Sequence, residues 1–338
     1  MNASLLVRAP IALAPVLLFL SALVHGDSYK LIRLRTVLGL VAIGALAAGA
    51  AYLVNLYAVA QFSGGFDAYS RYVSPWIEEA LKAAVLMVLI RTRRVGLPVD
   101  AGIAGFAIGT GFAMIENLYY LASRPGVALG VHVIRGFGTA IMHGGTATVL
   151  AMISVTLYER RPNAGLYLLL PGYLAAVALH SAFNFLLAKP ALAAVATMLV
   201  LPLVIYWVFQ RSEQALRDWL DQDLDSKVQL LDLINRGAYL ESHAGRMLRS
   251  LRARFRGEDL ADMLCVLRLH GELALRAKGV LLLRESGMEE PPLDDETRDK
   301  LAELALLERA LGRTGMLALR PLMMATGKDI WQLRLLGR

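Results

Sequence analysis

Residues 37–60 read VLGLVAIGALAAGAAYLVNLYAVA, twenty-four consecutive residues without a charge. A helix rising about 1.5 Å per residue needs about 20 mostly apolar residues to cross a hydrocarbon core of about 30 Å. A membrane β-barrel would instead show short segments of alternating polarity. The run therefore predicts a transmembrane helix. Six further stretches have the same character, at about 9–25, 75–91, 101–121, 128–157, 166–188 and 191–209. The fold expected is all-α, a polytopic membrane helical bundle of about seven spans. The first stretch follows Arg8, as the apolar core of a signal peptide would, but no small-x-small cleavage site follows it, so a retained span is expected.

Composition agrees. Hydrophobic residues make up 57% of the 338, above the roughly 45–50% of soluble domains. Residues 1–209 hold 14 Lys and Arg against 7 Asp and Glu, while residues 210–338 hold 21 of each, so the net charge of +7 lies in the apolar part. A basic balance confined to short loops between spans sets orientation and argues against nucleic acid as a partner. The loops after the first, third and fifth spans carry Lys30, Arg33 and Arg35, then Arg91, Arg93 and Arg94, then Arg160 and Arg161. The other loops hold only Arg71, Arg124 and Lys189. The positive-inside rule then places the N-terminus outside and the residues after Phe209 in the cytoplasm, with Arg8 as the exception. The membrane expected is a bacterial-type inner or plasma membrane. Trp76, Tyr119 and Tyr120 read as aromatics of the outer interface, and Tyr206 and Trp207 of the inner one.

Two domains follow: 1–209 embedded in lipid and 210–338 a helical cytoplasmic domain. In the latter, apolar positions recur at helical spacing over Leu216–Ile234, Leu260–Leu283 and Leu301–Leu311, with Gly237, Gly287 and Gly315 as expected stops. Met288–Asp295, with Pro291 and Pro292, reads as a loop. Arg246, Arg249, Arg252, Arg254 and Arg256 suit either anionic headgroups or a solvated helix face. This domain carries no motif that assigns it a role. Cys265 is the only cysteine, so there is no intramolecular disulfide, and any metal site must be built from carboxylates and imidazoles.

Charged groups within spans cost about 2.5–3.5 kcal/mol each on insertion scales, so each one needs a reason. The third span holds Glu78, Glu79 and Lys82, the fourth Glu116 and Asn117, the fifth Arg135 and His143, and the sixth His180 and Asn184. With odd spans running inward and even ones outward, Glu78, Glu79, Glu116, His180 and Asn184 fall at one depth in the outer half of the bilayer. His143 joins them if its long helix begins near Val131. Lys82 is spaced i,i+4 from Glu78 and i,i+3 from Glu79, so it can offset one carboxylate. His180 and Asn184 share a face, as do Phe112 and Glu116. Gly105, Gly109 and Gly111 allow close packing of the fourth span. Asn117 reads as interhelical glue, and Arg135 as a counter-ion for Glu116 or a substrate-facing cation.

Three functions fit such a layer. A proton or solute pathway should string its groups across the bilayer, and flux in liposomes would reveal it. A non-catalytic scaffold would keep its cellular role in a Glu79→Gln variant and lose it with residues 211–338. A pocket of carboxylates and histidines gathered at one depth suits hydrolysis.

Glu78-Glu79-Ala80-Leu81-Lys82, then GFAMIEN over 111–117, then His143, then His180-Ser181-Ala182-Phe183-Asn184, in this order on four spans, resemble the PrsW family of intramembrane proteases. These are relatives of the type II CAAX prenyl endopeptidases. Lys82 stands one residue earlier than the Arg of the wider superfamily, and Glu116 replaces its His; both are features of the PrsW branch. The resemblance covers about residues 70–190. It implies an endopeptidase whose catalytic residues are Glu78, Glu79, Glu116, His143, His180 and Asn184, supported by Lys82, Asn117 and Arg135. It also implies a substrate class, single-span membrane proteins such as anti-sigma factors, cut near the outer face. Two versions of the chemistry stay open. In one, a Glu of the pair takes a proton from water while His180 and Asn184 donate to the oxyanion. In the other, Glu116, His143, His180 and one of Glu78 or Glu79, with Glu79 taken first, bind Zn²⁺, with a position left for water. No H-E-x-x-H motif occurs to choose between them.

Overall fold

The computed structural model describes the chain apart from residues 1–2, 28–31, 125, 161–164, 187–189, 239–242, 290, 324–332, 334–335 and 337–338, and leaves some helical side chains undescribed. Among the described residues the regular structure is entirely helical. The chain forms two compact units, Met1–Glu213 and Gln214–Arg338. Lys30, Arg161 and Lys189 lie outside the described residues, as do the side chains of Arg8 and Arg135.

The first unit contains α1 (Ala3–Gly26), α2 (Leu34–Gln61), α3 (Gly65–Tyr72), α4 (Ser74–Arg91), α5 (Pro98–Ser123), α6 (Leu129–Arg160), α7 (Leu170–Leu186) and the first part of α8 (Pro190–Asn235). Four helices among the described residues are long and apolar enough to cross a membrane: Leu34–Gln61, Pro98–Ser123, Gly130–Arg160 and Tyr167–Phe185. α4 is set apart by its own charges, since its 18 residues include Glu78, Glu79, Lys82 and Arg91.

α5 is the central helix. From Val99 to Ala113 every residue is buried, against α6 on one side and α2 on the other. The small residues make this possible. A Cβ at Gly109 would lie 2.2 Å from the His143 carbonyl oxygen on α6, and one at Gly111 would lie 1.9 Å from the Val41 carbonyl oxygen on α2. Backbones in such contact leave no room for lipid or water between the helices. At its start, α5 is capped by Asp100, whose carboxylate accepts from the amides of Gly96 and Leu97. These are donors that a helix N-terminus otherwise leaves unpaired.

The second unit contains the rest of α8, α9 (His243–Ser250), α10 (Gly257–Glu285) and α11 (Asp295–Met323). α10 packs on α11, burying Met263, Val266, Leu273 and Leu281. Gly237 and Gly287 stop their helices at φ of 70° each, the left-handed turn glycine adopts without strain. The expected stop at Gly315 does not occur. α11 continues through it, and the chain instead kinks at Gly312, with φ of 61°.

Candidate active site

α4 begins with Ser74-Pro75, and proline in a first helical turn has no amide left unpaired. One turn later the helix presents Glu78 and Glu79, adjacent residues about 100° apart around its axis. They therefore face different surroundings.

Glu79 points into the protein and is fully buried. Its Oε1 accepts from Lys82 Nζ at 2.7 Å, from His180 Nδ1 at 2.8 Å and from Thr146 Oγ1 at 3.2 Å. Lys82 is equally buried. It donates a second bond to His143 Nδ1 at 2.8 Å and lies 4.7 Å from the centre of the Phe112 ring. His143 Nε2 in turn donates to Glu116 Oε2 at 2.5 Å. The partners dictate the tautomers. An ammonium on Nδ1 leaves the His143 proton on Nε2, while Glu79 takes the proton of His180 Nδ1 and leaves His180 Nε2 with a lone pair.

Glu78 points toward an open-sided cavity of about 590 Å³ lined by α2, α3, α4, α5 and α7. Its Oε1 accepts from Ser74 Oγ and from Asn55 Nδ2, and its Oε2 lies 3.8 Å from His180 Nε2. Glu116, His180 and Asn184 also line the cavity, whose remaining wall is largely apolar and includes Tyr119 and Tyr120. Asn184 donates from Nδ2 to the Ser70 carbonyl on α3 at 2.8 Å. The rings of His143 and His180 meet edge to face, 5.0 Å between centroids.

The structure thus brings Glu78, Glu79, Lys82, Glu116, His143 and His180 into one network, with Asn184 on its rim. Asn117 is buried outside the cavity wall, and Arg135 falls among the undescribed side chains. Ligand atoms of Glu78, His143 and His180 lie within 4.8 Å of one another. Of the two carboxylates expected as alternatives, this group contains Glu78 and not Glu79, and it lacks Glu116. Glu79 is instead tied to Lys82 and His180, and Glu116 to His143. The spacing suits a divalent ion on a further ground. His180 shows the usual arrangement of a metal-binding imidazole, one nitrogen held by a carboxylate and the other open.

Asn55, Tyr69, Ser74 and Thr146 were not among the residues anticipated from sequence. Asn55 had a visible signal, being the one amide in an uncharged apolar run. Ser74 lies i,i+4 from Glu78, but on its own reads as a helix start.

With this geometry in place, the comparison with known families is decisive: a family model described as PrsW family intramembrane metalloprotease matches residues 33–209, just over half of the chain. The chain belongs to the PrsW family. Neither a curated protein nor a solved structure matches it. The matched residues contain all of α2 to α7 and so every group of the site. As a member of the PrsW family the chain is a membrane-embedded peptidase, and its cluster of carboxylates and histidines is a candidate metal centre of that class.

Proposed function

We propose that the chain is an endopeptidase that cuts single-span membrane proteins, anti-sigma factors being the type, at a cavity in the outer half of the bilayer. α1, α4 and α8 complete seven spans, the N-terminus is outside, and residues 210–338 form a cytoplasmic domain. The observation that carries this reading is the approach of Glu78 Oε2 to the open His180 Nε2, 3.8 Å apart, on the wall of a cavity also lined by Glu116 and Asn184. A backbone stretch of a few residues, at about 3.3 Å each, fits such a space beside them.

Glu78, His143 and His180 would hold Zn²⁺, His143 through Nε2 once its proton had passed to Glu116. The bound ion would supply a Lewis acid for the scissile carbonyl and a more acidic water. Glu79 orients His180 through the Nδ1 proton, and Lys82 balances Glu79 while fixing His143. Glu116, facing the cavity, would hand the proton it took from His143 to the departing amine. Asn184 has a second amide proton to offer an oxyanion. The walls of apolar side chains limit water to the site. One observation favours a metal-free alternative: both His143 nitrogens already have partners, at 2.8 and 2.5 Å. In that version Glu78 takes the proton from water directly.

The test is cleavage of a single-span reporter by the protein purified in detergent, with bound zinc measured alongside. Activity lost in Glu78→Gln and in His180→Ala supports the site, and full activity in either refutes it. Stoichiometric zinc that a chelator removes together with activity selects the metal version; undiminished activity without zinc selects the other.

A further inference from the structure

The two oxygens of Glu78 are treated differently. Oε2 looks across the cavity to His180, while Oε1 accepts from Ser74 Oγ and from Asn55 Nδ2, the latter at 3.3 Å. Asn55 belongs to α2 and Ser74 to the start of α4, so the carboxylate is gripped from two helices. A third element sets the grip. Tyr69 on α3 donates its hydroxyl proton to Asn55 Oδ1 at 2.7 Å. That bond decides which end of the amide faces Glu78. With Oδ1 held by a donor, Nδ2 points to the carboxylate; the reversed amide would set an oxygen against the Glu78 carboxylate, two acceptors with no proton between them. Tyr69 cannot easily turn away, being 3% exposed and packed edge to face with Phe62.

We infer that Tyr69 and Asn55 are positioning residues for Glu78, acting in series: Tyr69 orients the Asn55 amide, and Asn55 with Ser74 holds Oε1 so that Oε2 stays aimed at His180. The inference rests on the proposed role of Glu78. A positioning role and a purely structural one make different demands. A buried amide that only joins helices contributes to the stability of the bundle and leaves turnover alone. A group that holds a reactive carboxylate acts on the chemical step, since small misplacements of a catalytic group reduce rate steeply.

Asn55→Leu, Tyr69→Phe and the double variant are compared with wild type for kcat, KM and thermal midpoint on the single-span reporter, with Glu78→Gln as control. Tyr69→Phe keeps the ring and removes only the donor. The expected result is kcat lowered about 20-fold or more in Asn55→Leu and about 5-fold in Tyr69→Phe, KM within about threefold of wild type, and a double variant no slower than Asn55→Leu alone, as expected of residues acting in series. A kcat within about twofold of wild type in both single variants overturns the inference, as does a double variant slowed by the product of the two effects. If Glu78→Gln itself cleaves at the wild-type rate, the reading of the site has failed; if it is inactive while the Asn55 and Tyr69 variants turn over normally, only the positioning role has failed.

Discussion

Lys82→Met removes the ammonium that bridges Glu79 and His143 while keeping an aliphatic stem of similar reach. Its counterpart Glu79 is fully buried, and the ion pair is 2.7 Å long with neither side chain exposed. Breaking a buried pair by deleting one partner costs about 3–5 kcal/mol, because the surviving charge stays desolvated. Glu79 would still hold the bonds from His180 and Thr146, which places the loss at the lower end, about 3 kcal/mol. For a unit the size of Met1–Glu213, each kcal/mol moves the midpoint by about 2–4 °C, so a fall of about 6–12 °C is expected. The assay is thermal unfolding in detergent of wild type, Lys82→Met, Glu79→Gln and the double variant. The double variant leaves no uncompensated charge, and glutamine keeps an acceptor for His180, so it recovers roughly half or more of the loss. A midpoint within about 2 °C of wild type in Lys82→Met, or a double variant no better than the single, would refute the buried ion pair as the anchor of the site.

The two adjacent glutamates separate by assay: Glu78→Gln lowers cleavage at least about 100-fold with an unchanged midpoint, while Glu79→Gln lowers both. Identical behaviour of the two would contradict their different surroundings. Gly109→Ala forces a Cβ to 2.2 Å from the His143 carbonyl, whereas at Gly49, on the cavity wall, nothing lies within 4 Å. The first is expected to destabilise by about 1–3 kcal/mol and the second by far less, in the same unfolding assay. In the second unit burial pushes the Glu272 carboxyl up, yet hydrogen bonds from Lys300 and Arg268 outweigh it and hold the group below its usual range. That contribution is present above the unfolded value of about 4.3 and is lost as pH falls through the lower folded value. Lys300 is raised by its hydrogen bonds to Glu272 and Glu296, so its contribution holds below about 10.4 and is lost as pH rises through the folded value. Lys300→Met should therefore lessen both the acid and the alkaline loss of stability, read by circular dichroism of the whole chain across pH.

Helices are legible here because periodicity and length are local properties. The uncharged run of 37–60 lies inside α2, and the expected helix at Leu260–Leu283 lies inside α10. Gly315 shows the limit: glycine is permitted in a left-handed turn, but which of two nearby glycines takes it, Gly312 in this chain, depends on how α10 and α11 pack. The site was legible as a list of polar groups in apolar helices, since their cost in lipid marks them individually. Their division of labour was not. Helical spacing allowed Lys82 to pair with either Glu78 or Glu79, and only the packing of α6 and α7 against α4 decides that it serves Glu79.

That division follows from rotation about a single helix. Glu78 and Glu79 differ by one position, so α4 delivers one carboxylate to the packed interior and one to the cavity from the same turn. His180 touches both, with Nδ1 bonded to Glu79 at 2.8 Å and Nε2 at 3.8 Å from Glu78. The inner carboxylate thereby sets the orientation of the imidazole that the outer one faces, and because both ride on one rigid turn, their separation cannot drift as the bundle breathes. Moving either glutamate by one residue would rotate it about 100° out of its environment. It would leave His180 either unanchored or facing no partner, so the arrangement of this imidazole needs two adjacent acids on α4.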